Sequence, residues 1–150
     1  MLFSNDMKEL IKLMNRHGVQ YAMVGGFAVN YHGYVRTTQD IDFLVYPSEE
    51  NAVRMMAALT EFGFGNAGIP QEYFARKGTA VHIGVEPNRI DFLTHLAGVD
   101  NEVIFSNLED VVIEDVSTKM ISFHDLISVK KKSKRLKDLA DAEELEKISS

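Results

Sequence analysis

Apolar positions change period several times along the chain, and each change marks an element. From Asp6 to Arg16, Met7, Leu10, Ile11 and Met14 recur at the spacing of an amphipathic helix, with Asp6 as cap, Glu9 completing a capping box and His17-Gly18 as the stop. The apolar run Tyr21 to Val24 predicts a strand and meets Gly25-Gly26, after which Phe27, Ala28 and Tyr31 fall at helical spacing as far as Gly33. A second strand is expected from Asp40 to Val45. Ser48 and Glu49-Glu50 open a longer helix whose expected buried stripe is Val53, Met56, Ala57 and Leu59, with Gly63 at its stop. The loop from Gly63 to Gln71 has the composition of a segment bordering a cleft.

Strand-like runs return at Glu72 to Arg76, Ala80 to Val85 and Arg89 to Thr94. A helical turn around Val103, Ile104 and Leu108 precedes the alternating VVIEDVSTKMI, read as a hairpin turning at Asp115-Val116. Ser122 caps a helix with Asp125 at its third position and Leu126, Ile127 and Val129 inside. It runs into the basic stretch KKKSKRLKD. A last helix, Leu136 to Ile148, is expected to set Leu139, Ala142, Leu145 and Ile148 against the core.

Length and composition narrow this picture. A chain of 150 residues reads as a single domain, 1–150, with 122–150 as a C-terminal helical element packed on the core. There is no cysteine, so a disulfide framework and a thiolate metal site are both excluded. The apolar runs fall short of the roughly 20 residues of a membrane helix, and the start MLFSNDMKEL lacks the layout of a secretory signal, so a soluble, cytoplasmic protein with no membrane partner is expected. A net charge of −6 disfavours loose adhesion to polyanions, so any phosphate must be held by a local patch.

Two acids inside an apolar strand carry the candidate chemistry. Residues two apart on a strand share a face, so Asp40 and Asp42 project together while Ile41 and Phe43 turn inward. Paired carboxylates repel unless something positive lies between them, and their oxygens are the hard ligands that Mg²⁺ or Mn²⁺ prefers. An internal ion pair of Arg36 with Asp40 is the plainer alternative. In RIDFLT, Asp91 stands between Ile90 and Phe92 as Asp42 stands between Ile41 and Phe43, and antiparallel pairing of neighbouring strands would bring it beside the first two acids. Gly25-Gly26 before a helix outlines a phosphate site, although a tight turn alone would account for the pair. Lys130, Lys131, Lys132, Lys134, Arg135 and Lys137 form one basic run, at least two members of which are expected to meet phosphate. His17, His32, His82, His95 and His124 show no zinc spacing and read as structural.

Taken in order, these residues resemble the nucleotidyltransferase superfamily typified by DNA polymerase β, whose signature is an apolar residue, Gly-Gly or Gly-Ser, a spacer and Asp-apolar-Asp. Val24-Gly25-Gly26 and Asp40-Ile41-Asp42 fit it, with residues 27 to 39 as a long spacer. The chain looks most like the small stand-alone AbiEii-like, toxin-associated branch. Arg36, Thr38, Asp40 and Asp42 match one element of that branch. Asp125-Leu126-Ile127, Lys130, Arg135, Lys137, Asp138 and Asp141 match another.

The resemblance implies an α+β (mixed α/β) fold, a small twisted mixed sheet flanked by helices. It also implies transfer of a nucleoside monophosphate from an NTP, ATP among them, to an acceptor, with release of pyrophosphate. Two Mg²⁺ or Mn²⁺ ions about 3.5–4 Å apart would serve the reaction. Asp40 and Asp42 would hold both ions, and Asp91 would hold the one nearer the acceptor oxygen and take its proton. Gly25 and Gly26 would cradle phosphates, joined by Arg36, Thr38, Lys130, Arg135 and Lys137.

Two departures bear on this. Many members place a phosphate-binding Ser after the first Gly, whereas here Gly26 is followed by Phe27, and the extra helical domain with which larger relatives hold their acceptor is absent from these residues. The acceptor, whether RNA or tRNA, protein or small molecule, is therefore undefined. Two further readings stay open: a non-catalytic partner protein of the same fold, such as a toxin–antitoxin component with a cognate protein partner, and a nucleic-acid binder using the basic run.

Overall fold

The computed structural model describes residues 3–38, 40–85 and 88–149, and within them two kinds of strand are distinguished by burial. β1 (Tyr21–Val24) is buried at every position and β2 (Ile41–Val45) at all but Asp42, so both faces of these strands are covered. This is why they read as continuous apolar runs. β3 (Ala80–Ile83) and β6 (Val116–Met120) instead alternate buried with exposed, and they lie further from the middle. With β4 (Ile90–Leu93) and β5 (Glu109–Ile113) they form one mixed sheet in the order β3-β4-β2-β1-β6-β5. β2 runs parallel to β4 and β1 parallel to β6; the other neighbours are antiparallel.

Seven α-helices accompany the sheet among the described residues: α1 (Asn5–Arg16), α2 (Gly25–Tyr31), α3 (Glu49–Leu59), α4 (Glu72–Ala75), α5 (Asn101–Ser106), α6 (Phe123–Lys132) and α7 (Leu136–Ser149). The expected mixed α/β fold, a mixed sheet flanked by helices, is the one observed. α1 packs on α3 and β6, α2 lies against β1 and β2, and α6 and α7 pack on each other. Tyr21, Phe43, Phe92 and Phe74 form a chain of ring contacts through the core, with Phe43 stacked on Phe92 at 5.9 Å and Phe74 edge-on to Phe92 at 5.9 Å. No helix among the described residues is long and apolar enough to cross a membrane.

Several local expectations shift, each for a physical reason. Ser4, rather than Asp6, caps α1: its side chain accepts from the Met7 amide at 3.1 Å, which leaves Asp6 in the first turn, where its charge suits the helix dipole. In α3 the buried positions are Asn51, Ala52, Met55, Ala58 and Leu59, while Val53 is exposed. The stripe begins with a polar residue. The Asn51 amide binds the backbone of Gln20 through both its N–H and its C=O, and also the Tyr46 carbonyl, so it tethers β1 to the end of β2. Helix α3 continues into a wide turn, Thr60–Phe64, with Gly63 at φ 104.

Residues 72–76, expected as a strand, hold the single turn α4, started by Tyr73 N–H donating to Pro70 C=O at 3.1 Å. Pro70 suits a helix start, and only Phe74 needs burying. The hairpin turns one residue earlier than expected, on Glu114 and Asp115, both at positive φ as a tight two-residue turn requires. In α7, Ala142 and Leu145 are buried as expected, but Leu139 and Ile148 are largely exposed and Asp138 and Asp141 take the inner face.

Candidate active site

One row of the sheet holds the chemistry. Register pairs His82 with Asp91 across β3–β4, Asp91 with Asp42 across β4–β2, and Asp42 with Val24 across β2–β1, immediately before Gly25. The third acid therefore does lie beside the first pair. It arrives by parallel rather than the expected antiparallel pairing, because the antiparallel partner of β2 is β1 and the β3–β4 hairpin inserts β4 next to β2.

Gly25 and Gly26 are demanded by this arrangement. Gly25 has φ +69, and a Cβ there would stand 2.1 Å from Asp42 Oδ2. A Cβ on Gly26 would stand 2.3 Å from Thr38 Oγ1. What approaches the glycine backbone closely is the Asp42 carboxylate and the Thr38 hydroxyl.

Burial raises the Asp42 pKa to about 7, helped by the Asp91 charge, a hydrogen bond to Asp91 and the nearby Asp40. Burial also opposes ionisation of Asp91, but hydrogen bonds with His82, Arg89 and Asp42 outweigh it and hold that carboxyl below its ordinary value. The two acids are thus pushed apart, Asp42 toward its protonated form and Asp91 toward its ionised one.

Arg89 spans the acids. Its Nε and Nη2 donate to Asp91 Oδ1 and Oδ2 at 2.9 and 3.1 Å, and Nη2 also lies 3.1 Å from Asp40 Oδ2. His82 Nδ1 meets Asp91 Oδ1 at 2.7 Å. Asp40 is therefore paired with Arg89, not with Arg36. Neither Arg89 nor His82 was expected in the site. Arg89 could have been found by the rule that picked out Asp40 and Asp42, since it sits two residues before Asp91 on one strand face.

The basic residues separate into two groups. Arg36 makes a two-pronged pair with Asp141, both contacts 2.8 Å, and Lys130 is buried against Asp138 at 2.8 Å and Asp141 at 3.2 Å. Their charges are balanced within the protein, which accounts for the inward-facing acids of α7. Arg135 also reaches Asp138, at 2.9 Å, yet 79% of its side chain is exposed. Lys137 is exposed as well. Lys131 pairs with Glu146 at 2.9 Å, on the surface.

A cavity of about 720 Å³ joins these parts. Gly25, Gly26, Arg36, Thr38, Asp40, Asp42, Asp91, Lys130, Arg135 and Lys137, the residues to which the resemblance gives a metal or phosphate role, line it, whereas Lys131, Lys132 and Lys134 of the basic run do not. So do His82, Arg89, Ser133 and Asp138, while Leu93, Leu96, Ala97 and Val129 add an apolar wall. None of residues 63–71 lines it, so that loop does not border this cleft.

The donor chemistry fits a hard divalent cation: three carboxylates converge, burial and the neighbouring acids oppose ionisation of Asp42, and Asp40 Oδ1 is buried without a hydrogen-bond partner. Among the described residues no group of three His, Asp or Glu side chains is set to hold an ion as it stands. Arg89 occupies the oxygens that such an ion would take.

Residues 3–150 match the family described as "Nucleotidyl transferase of unknown function (DUF2204)", and the chain belongs to that family. The description names a reaction class and neither the nucleotide nor the acceptor. No curated protein matches the chain.

Proposed function

We propose that this chain is a metal-dependent nucleotidyltransferase that moves a nucleoside monophosphate from an NTP to an acceptor and releases pyrophosphate. The observation that carries the reading is the in-register placing of Asp91 beside Asp42, in a cavity that Asp40, the glycine pair, Arg135 and Lys137 also line. Asp40, Asp42 and Asp91 would hold Mg²⁺ or Mn²⁺, which when bound supplies positive charge to the phosphates and lowers the pKa of the acceptor oxygen. Asp91, which lines the cavity beside Asp42, is the group we assign to take the acceptor's proton. Arg135 and Lys137 would offer their exposed charge to the β and γ phosphates, whereas Arg36 and Lys130 fix the wall from which those two project. The apolar wall of Leu93, Leu96, Ala97 and Val129 is suited to the flat face of a base.

The test is incubation with each α-labelled NTP, Mg²⁺ and a total cell extract. The expected result is label transferred to one class of molecule by the wild type and none by Asp42→Asn. A wild-type protein that binds neither divalent metal nor NTP by calorimetry overturns the proposal.

One observation favours a second reading. With Arg89 bridging Asp40 and Asp91, those two acids have a counter-charge without a metal cation, as they would in a non-catalytic partner protein such as a toxin–antitoxin component. Under that reading Asp42→Asn leaves the cellular phenotype intact, and surface substitutions abolish it. The basic run favours nucleic-acid binding less, since Lys130 and Lys131 are already paired.

A further inference from the structure

Resting on the transferase reading, we infer that Arg89 is an exchangeable counter-ion, which holds Asp40 and Asp91 before the metal arrives and turns to the nucleotide's phosphates when the metal takes those oxygens. Among the described residues its contacts in the first position include Nε to Asp91 Oδ1 at 2.9 Å, Nη2 to Asp91 Oδ2 at 3.1 Å and Nη2 to Asp40 Oδ2 at 3.1 Å. These are oxygens that a divalent cation held by Asp40 and Asp91 would claim. A divalent cation there would compete with the guanidinium for these lone pairs and repel its like charge.

The geometry supports exchange rather than a permanent bridge. The Arg89 backbone is fixed, since its carbonyl accepts the Ile41 amide at 3.1 Å in the β2–β4 ladder. Its side chain is 36% exposed and lines the same cavity as Gly25, Gly26, Arg135 and Lys137. The planar fork of N–H donors fits a phosphate as well as a carboxylate, so release from the acids leaves a ready alternative partner in an NTP bound there. Asp91 keeps its orientation during the exchange because His82 Nδ1 holds Oδ1 independently at 2.7 Å. Arg36 and Lys130 cannot behave this way, since each is closed on buried acids.

Metal and nucleotide then bind cooperatively. Each finds Arg89 already displaced or already wanted, and the coupling is reciprocal: a factor by which nucleotide tightens metal is the factor by which metal tightens nucleotide. For the whole chain the factor is expected to be on the order of 10.

Calorimetry with Mn²⁺ alone, with a non-hydrolysable NTP analogue alone, and with each in the presence of the other tests this on wild type, Arg89→Met and Arg89→Lys. Arg89→Met is expected to bind Mn²⁺ alone about tenfold tighter than wild type, to bind the analogue more weakly and to lose the coupling. Arg89→Lys, which keeps the charge without the two-pronged fork, should fall between them. Thermal melting of Arg89→Met, in which the acids lack their counter-ion, should rise with Mn²⁺ more than that of wild type, so the comparison survives a loss of stability. If wild type binds both ligands and Arg89→Met binds Mn²⁺ no tighter, the exchange is overturned and the transferase reading stands. If wild type binds neither, both fall.

Discussion

Arg36 and Asp141, 105 residues apart in sequence, face each other through two 2.8 Å contacts, with the Asp141 side chain only 2% exposed. Lys130 reaches the same carboxylate, so one buried acid ties the loop before β2 to both C-terminal helices. Removing it leaves Arg36 without its buried partner and Lys130 with Asp138 alone. Asp141→Ala is expected to cost about 3–5 kcal/mol in urea unfolding. A loss below about 1 kcal/mol would show that solvent reaches this network freely.

The division of the basic run predicts two kinds of defect. Lys137→Ala and Arg135→Ala should raise the KM for NTP several-fold and change stability by less than about 1 kcal/mol, because exposed pairs contribute little. Lys130→Met should do the reverse, lowering the unfolding free energy by several kcal/mol because Asp138 and Asp141 lose a buried partner. Steady-state kinetics and chemical denaturation on the same three variants separate the groups.

Gly25→Ala places a methyl group where Asp42 Oδ2 now stands, at a φ of +69 that alone costs roughly 1–2 kcal/mol. The fold should survive, as read by circular dichroism, while transfer falls by about 100-fold, the scale on which small misplacement of reacting groups is felt. Wild-type rates in Gly25→Ala would mean that Asp42 is not held by the glycine backbone.

Acid stability should report Asp138. Burial alone would raise its pKa, but hydrogen bonds from Lys130, Ser133 and Arg135 dominate and bring it from 3.8 to about 2. A folded-state value below the unfolded one means that the unfolded chain binds the proton more readily. Its stabilisation is therefore complete above pH 4 and lost as pH falls toward 2, an effect of about 2 kcal/mol. Urea unfolding at pH 5 and pH 2.5 should show a smaller difference for Asp138→Asn than for wild type.

The pieces of the site that depend on local pattern were legible in the sequence. Gly25-Gly26, the i, i+2 spacing of Asp40 and Asp42, and the echo of that strand around Asp91 all follow from strand periodicity and turn chemistry. Pairing direction was not legible, because whether β4 lies parallel or antiparallel to β2 depends on where the β3–β4 hairpin inserts. Nor were the partners of Arg36 and Lys130. An acid at position 138 or 141 looks like surface in a helix that also offers Leu139 and Ile148, and only the cations brought by tertiary packing reverse that preference. The buried stripe of α3 was misplaced for a related reason, since Asn51 occupies an inner position by satisfying three backbone groups.

The late position of Asp138 and Asp141 also orders events during synthesis. The glycine pair and the first two acids leave the ribosome while the residues that neutralise Arg36 and Lys130 have yet to be translated, about a hundred codons later for the Arg36–Asp141 pair. Until α7 is made, the wall of the cavity carries two cations without their buried acids, so a chain released early is both unstable and unable to present Arg135 and Lys137. A stable cavity wall thus requires a translated length that includes residue 141.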